Sequence, residues 1–141
     1  AVSDGDTAIA GTLAVGGAIT GDSITANPAL ASGAVVTSAI NALTFKTYTG
    51  KRIIFTGGSN VTFDLPDATS TVSVGDTWVI INASQKIITL DPDSSDTIKI
   101  ATGSTYTGSA GANTSISKGG VVELVVVANN EYAVFGSGLS Q

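Results

Sequence analysis

The sequence contains no cysteine and no histidine. Without cysteine there is no disulfide framework, and nothing indicates a redox compartment. Without either residue, the usual nucleophile–base pairs of hydrolases and the common zinc and transition-metal ligand sets are missing. The remaining candidates for catalysis are Asp, Glu, Ser, Thr, Tyr and Lys, and no arrangement of them predicts an active site. We therefore expect a protein that is not an enzyme and binds no cofactor.

Charged residues are scarce, at 12% of the chain, which is about half of the usual ~25%. Only six residues are basic and the net charge is −5, which disfavours a nucleic-acid partner because phosphate binding needs clustered Lys and Arg. No apolar run approaches the roughly 18 residues of a membrane span. No basic segment precedes an apolar core at the N-terminus, so we predict neither a signal peptide nor a membrane partner.

The polar surface must be built largely from Ser, Thr, Asn and Gly, which indicates an all-β protein because Thr tolerates strands and Gly and Asn supply turns. From residue 43 onward, β-branched and aromatic runs alternate with turn residues. This spacing favours an antiparallel β-sandwich or barrel, jelly-roll-like, over residues 43–141. About eight strands are predicted, at residues 43–48, 52–56, 61–65, 77–82, 86–90, 97–100, 121–128 and 131–136.

Two hairpins are predicted within this body. In the first, spanning residues 75–90, the apolar runs 78–81 and 87–90 flank a polar connection, and the only Trp of the chain supplies core. The second turns at Asn129 and Asn130, because Asn tolerates the positive φ of a two-residue primed turn.

Two of the predicted strands carry apolar residues on both faces. Neither VVELVVV at residues 121–127 nor WVII at 78–81 alternates cleanly, whereas a strand with water on one face should alternate. The second face would be covered by a folded arm or by another subunit, and we predict a homo-oligomer. The residues predicted as oligomer or core contacts are Trp78, Ile80, Val122, Leu124, Val126 and Phe135.

Residues 1–42 form a different kind of segment, in which glycines separate short apolar triplets of mostly small residues. Such triplets cannot build a core. The segment is either a flexible arm or an extended arm that orders on a neighbouring subunit or a partner surface. Its regular apolar pattern favours docking over a plain linker. The docking residues would be Leu13, Val15, Ile19 and Ile24.

Carboxylates occur in two groups. Asp64 and Asp67 could form the pair of a glycoside hydrolase, but a strand end and a turn cap explain them better. Asp91, Asp93 and Asp96 could gather oxygen ligands around calcium. Their segment lacks the glycine and the distal glutamate of an EF-hand, so a solvated turn is favoured.

Four aromatic side chains could stack on a sugar, namely Tyr48, Trp78, Tyr106 and Tyr132. Trp78 and Tyr132 lie in apolar runs and are assigned to the core. Tyr106 lies in the Gly/Ser-rich segment 103–114 and is the one predicted to be exposed.

Three segments in order carry a resemblance to a known family: VTFDLPDA (61–68), VGDTWVIIN (74–82) and IITLDPDSSDTI (87–98). They resemble the β-rich domain of tailed-bacteriophage virion proteins, as in capsid decoration (cement) proteins and tail-fibre segments. A late apolar run with its closing hairpin extends the likeness to residues 50–138. The resemblance implies a homotrimer on the capsid exterior, assembled in the host cytoplasm, that binds the major capsid protein. The alternative is a tail-fibre or spike module that binds a host receptor glycan.

Overall fold

The computed structural model describes residues 33–102 and 105–141, so the predicted arm contacts Leu13, Val15, Ile19 and Ile24 lie outside the described residues. In chain order the elements are β1 (Ala34–Val36), α1 (Ala42–Lys46), β2 (Arg52–Phe55), β3 (Val61–Asp64), β4 (Thr77–Asn82), β5 (Ile88–Asp91), β6 (Thr97–Thr102), β7 (Thr105–Thr107), β8 (Thr114–Ile116), β9 (Val121–Ala128), β10 (Glu131–Gly136) and β11 (Leu139–Ser140). In this part of the chain no helix has the length and apolarity to cross a membrane.

The strands form two mixed sheets, which agrees with the prediction of an all-β protein. Seven strands are ordered β1-β2-β4-β9-β10-β6-β7 in one sheet, and four are ordered β11-β8-β5-β3 in the other. The prediction of purely antiparallel pairing is wrong, because β1–β2, β2–β4, β6–β10 and β3–β5 are parallel pairs. Parallel neighbours need crossover connections. Between β2 and β4 the chain passes through β3 of the other sheet, and between β3 and β5 it passes through β4.

The predicted hairpin over residues 75–90 is also wrong. Its two strands form, but β4 belongs to the seven-stranded sheet and β5 to the four-stranded sheet. Their polar connection therefore joins the sheets. The second hairpin is confirmed, since β9 and β10 pair antiparallel around the turn. Of its two asparagines only Asn130 has a positive φ, of 60°, so the turn is not the primed type that was predicted.

The predicted strand over residues 43–48 is wrong, because residues 43–46 belong to the short helix α1 and residues 47 and 48 to the turn after it. The Asn41 side chain caps this helix by accepting a hydrogen bond of 2.9 Å from the Thr44 N–H. The helix also places Phe45 in the core, where the side chain is fully buried. Ile40 and β1, which lie in the segment assigned to the arm, belong to the folded body: Ile40 is 4% exposed and pairs with Phe63, and β1 pairs with β2.

Both sheets contribute to one apolar core. The Phe55 ring from β2 meets the Phe63 ring from β3 edge-on, with 6.0 Å between centroids. Trp78 on β4 lies 5.3 Å from Phe45 and 6.4 Å from Tyr132 on β10. Offset and edge-on aromatic pairs of this kind add stabilisation beyond the burial of their area. The centroids of the Phe45 and Phe63 rings are 6.3 Å apart, so the helix and the two sheets are joined by one chain of aromatic contacts.

Candidate interaction surface

The face of the seven-stranded sheet that points away from the core is here called the outer face. In β9 the side chains alternate strictly, with Val122, Leu124 and Val126 buried and Val121 and Val127 exposed. The run at residues 121–127, which was predicted to be apolar on both faces, therefore has some of its residues in the core and the others on the outer face. The same division holds in β4, where buried and half-buried residues alternate.

One row of the outer face is apolar across four strands. Val35 of β1 lies opposite Ile54 of β2, Ile54 opposite Ile81 of β4, and Ile81 opposite Val121 of β9. Val35 is 64% exposed and Val121 is 45% exposed, while Ile54 and Ile81 are half-buried. Neighbouring strands are about 4.8 Å apart, so this row is roughly 14 Å long. It leaves a continuous strip of apolar surface uncovered in the single chain.

The next row carries charge on either side of an apolar centre. Arg52 of β2 lies opposite Val79 of β4, Val79 opposite Glu123 of β9, and Glu123 opposite Phe135 of β10. Arg52 and Glu123 are exposed, and Phe135 is 36% exposed. A cation and an anion thus flank Val79 at equal distances.

Within residues 33–102 and 105–141, the one ion pair joins Lys99 to Glu131 at 2.6 Å. That pair lies towards the β6 side of the same sheet. Arg52 and Glu123 have no ionic partner among the described residues. The outer face therefore presents one satisfied ion pair beside two separate and opposite charges.

Five of the six predicted contact residues lie in the core of the single chain and one lies on the outer face. Phe135 is the one on the outer face. The buried five are Trp78, Ile80, Val122, Leu124 and Val126.

The first carboxylate group has the structural role that was predicted. Asp64 is the last residue of β3 and is exposed. The Asp67 carboxylate accepts hydrogen bonds from the Ser70 hydroxyl at 2.6 Å and the Thr69 N–H at 2.7 Å. These hydrogen bonds hold the pKa of Asp67 below its ordinary value. The bond from the Ser70 hydroxyl has the larger effect, and the bond from the Thr69 N–H the next largest. Asp67 is therefore a turn cap, as predicted.

The second carboxylate group, Asp91, Asp93 and Asp96, was predicted to form a solvated turn. Asp96 departs from that prediction, because its side chain is buried. Its Oδ2 accepts a hydrogen bond of 2.8 Å from the Ala68 N–H, while Oδ1 is buried without a partner among the described residues. Burial raises the pKa of Asp96, and the charges of Asp67 and Asp93 add to that effect. Over the described ranges no three acidic side chains gather into a group that could hold a metal ion. Asp96 instead ties β6 to the turn after β3.

The aromatic side chains offer little surface for a sugar in the described residues. Trp78 and Tyr132 are fully buried, and Tyr48 is half-buried against the core. The Tyr132 hydroxyl donates to the carbonyl of Pro66, and burial raises the pKa of this phenol. The side chain of Tyr106 lies outside the described residues.

Sequence reasoning missed a buried polar centre at Asn82, the last residue of β4. Its Nδ2 donates to the carbonyls of Lys86, Ile116 and Ser117 at 2.7, 3.1 and 3.0 Å. Its Oδ1 accepts from the Ser84 hydroxyl at 2.7 Å. Asn82 therefore joins the connection after β4 to the end of β8 in the other sheet. A polar residue at the inward position of an apolar strand was the available signal.

Comparisons with models of protein families, with curated proteins and with solved structures give no match for this chain. Among the described residues, the outer face is the feature with both exposed apolar area and separate charges. It is therefore the candidate functional site.

Proposed function

We propose that this chain is a capsid decoration (cement) protein of a tailed bacteriophage. In this role it is a non-enzymatic homotrimer that binds the major capsid protein on the capsid exterior and stabilises the shell. The observation that carries the proposal is the apolar row from Val35 to Val121, which the single chain leaves open to solvent. Contiguous exposed apolar surface of this kind marks an interaction site more often than an inert surface.

Two further observations support a structural role. The surface is poor in charge and rich in small polar residues, and the chain holds neither His nor Cys. The segments 61–68, 74–82 and 87–98 resemble those of phage virion proteins in sequence and in order. We also propose that the body is a two-sheet sandwich. The separate edge strands, β1 and β7 in one sheet and β3 and β11 in the other, favour a sandwich over a closed barrel.

In this proposal the two parts of the chain have different tasks. The N-terminal arm, with Leu13, Val15, Ile19 and Ile24, docks on the shell or on an adjacent protomer. The body supplies the contacts between protomers. An arm that becomes ordered when it docks loses conformational entropy at that moment, so its affinity depends on its few apolar anchors.

Co-sedimentation with capsid shells that lack the protein tests the proposal. We expect saturable binding of the full chain and an increase in the temperature at which the shells break open. Ile19→Asp should weaken binding because it places a charge among the docking anchors, whereas the exposed Lys118→Glu should bind like the unmodified chain. A chain that is monomeric and does not bind such shells contradicts the proposal.

A glycan array separates this function from the alternative of a tail-fibre or spike module. A decoration protein should give no specific signal on the array. A signal that Tyr106→Ala abolishes would instead favour a module that binds a host glycan through the segment 103–114.

A further inference from the structure

We propose that the outer face joins copies of this chain around a rotation axis that runs parallel to β4 and passes in front of Val79. In this arrangement Arg52 of each copy pairs with Glu123 of the next copy. The inference rests on the oligomeric part of the proposed function and names the surface and the contacts that produce it. It does not require the virion, so it can fail or hold in the purified protein.

The positions of the charges select the direction of the axis. Arg52 on β2 and Glu123 on β9 lie on opposite sides of β4, each about 4.8 Å from it and in register with Val79. A rotation about an axis parallel to β4 turns the β2 side of one copy towards the β9 side of the next, so opposite charges meet. A two-fold axis across the strands in this row would place Arg52 over Arg52 and Glu123 over Glu123. Such like-charge contacts oppose association.

The neighbouring row fits the same axis. Ile81 lies on β4, one pleat beyond Val79 on the same face, and so also lies at the axis. Ile54 on the β2 side then meets Val121 on the β9 side of the next copy. Because every member of this row is apolar, the contact removes apolar area from water on both copies. One surface thus presents an apolar row to an apolar row and a cation to an anion.

The size of the face determines how tight this contact can be. Its apolar row covers four strands, about 14 Å, and a standard stable interface buries about 800 Å² on each partner. The two rows together are smaller than that, so we expect reversible, concentration-dependent association of the body. A three-fold axis satisfies the Arg52–Glu123 pairing in a closed ring and agrees with the proposed trimer. A two-fold axis satisfies it in a face-to-face pair.

Cysteine cross-linking tests the face directly, because the chain has no native cysteine. In the double variant R52C/E123C the two positions in one chain are roughly 9.6 Å apart across β4. That distance exceeds the ~7 Å limit between the Cα atoms of a disulfide, so the bonds that form must join different chains. Mild oxidation should give a covalently closed trimer for a three-fold axis and a covalent dimer for a two-fold axis. The matched variant D64C/K118C, with both cysteines exposed but off the outer face, should stay monomeric on a denaturing gel.

Charge reversal tests the pairing itself. R52E and E123R should each weaken self-association about tenfold in sedimentation experiments, because each places like charges together. The double variant R52E/E123R should recover association to within about threefold of the unmodified chain, and K118E should not change it.

Three results would overturn the inference. They are an R52C/E123C cross-linking yield no higher than that of D64C/K118C, a double charge reversal as weak as the single reversals, and an unmodified chain that is monomeric at several hundred micromolar. If the chain binds shells but does not associate through the outer face, the inference about this face is wrong and the decoration function is not affected. If the chain associates through the outer face but does not bind shells, the decoration function is wrong and the inference about this face stands.

Discussion

The indole N–H of Trp78 donates a hydrogen bond of 3.1 Å to the backbone carbonyl of Phe45. Both side chains are fully buried. Because Phe45 belongs to α1 and Trp78 to β4, one side chain supplies both ring packing and a polar tie between the helix and the seven-stranded sheet.

Trp78→Ala should lower the free energy of unfolding by about 3–5 kcal/mol, because it leaves a large cavity in the core. Trp78→Phe should cost less, about 1–3 kcal/mol, since it keeps a ring but leaves the Phe45 carbonyl without its donor. Urea unfolding followed by far-ultraviolet circular dichroism measures both, because neither variant retains Trp fluorescence. The control is Leu43→Ala at a side chain that is 76% exposed, and it should be nearly neutral. Equal costs for Leu43→Ala and Trp78→Ala would contradict the placement of Trp78 in the core.

Asn82→Asp should destabilise the protein by about 3 kcal/mol or more at neutral pH. The substitution keeps the shape of the side chain but turns a carboxylate oxygen towards carbonyls that Nδ2 now satisfies, in a buried site. The loss should shrink in acid, where the new carboxyl is protonated. Asn113→Asp, at an exposed position, controls for the added charge. Urea midpoints that coincide for the two variants would show that Asn82 does not hold the sheets together.

Asp96 should make the protein less stable as the pH rises. Burial raises its pKa above the ordinary value of 3.8, so the folded state binds the proton more tightly than the unfolded state. Stability is therefore lost as the pH rises from about 3.8 through the pKa of the folded state. Asp96→Asn keeps an acceptor for the Ala68 N–H and cannot ionise. Its stability relative to the unmodified chain should increase across that range and then level off.

Asp67 provides a control, because its effect on stability changes with pH in the opposite direction to that of Asp96. The Ser70 hydroxyl and the Thr69 N–H lower its pKa, so its contribution is present above about 3.8 and is lost as the pH falls through the folded-state value. Asp67→Asn should therefore lose stability relative to the unmodified chain above pH ~4. Denaturation measured from pH 3 to pH 8 compares the variants. The same pH trend in Asp67→Asn and Asp96→Asn would contradict the buried and hydrogen-bonded environments assigned to the two carboxyls.

Removal of residues 1–42 should destabilise the body by about 3 kcal/mol or more. The deletion takes away strand β1, the buried Ile40 side chain and the Asn41 cap of α1. Removal of residues 1–32 keeps all three, so its thermal midpoint should lie closer to that of the full chain. Equal midpoints for the two truncations would show that β1, Ile40 and the cap add nothing to the fold.

The sequence predicted the long strands well and the short ones poorly. β4, β9 and β10 have the predicted bounds, because each is a run of β-branched and aromatic residues between turn residues. β1, β7, β8 and β11 have two or three residues each and carry no periodic pattern of their own. They form because a neighbouring strand supplies an open edge, which is a tertiary effect.

The pairing of the strands was the second feature that the sequence did not predict. The runs at 78–81 and 87–90 were recognised as strands, but adjacency in sequence suggested a hairpin where the chain crosses between sheets. The helix α1 was missed for a related reason, since Phe45 is held by contacts with residues far along the chain.

The candidate site was predicted in part. The non-alternating runs indicated apolar residues on both faces of β4 and β9, and the outer face carries Val79, Ile81, Val121 and Val127. The register that aligns Arg52, Val79 and Glu123 depends on three strands that are distant in sequence, so no local pattern contained it. The burial of Asp96 likewise depends on Ala68, 28 residues away.

Electron microscopy of the phage particle that carries this protein tests its proposed role most directly. Particles are compared before and after the protein is removed, and again after the purified chain is added back. The proposed function predicts knobs of density on the outside of the capsid shell that vanish on removal and return on addition. Density along a tail fibre, with a shell that does not change, would contradict it.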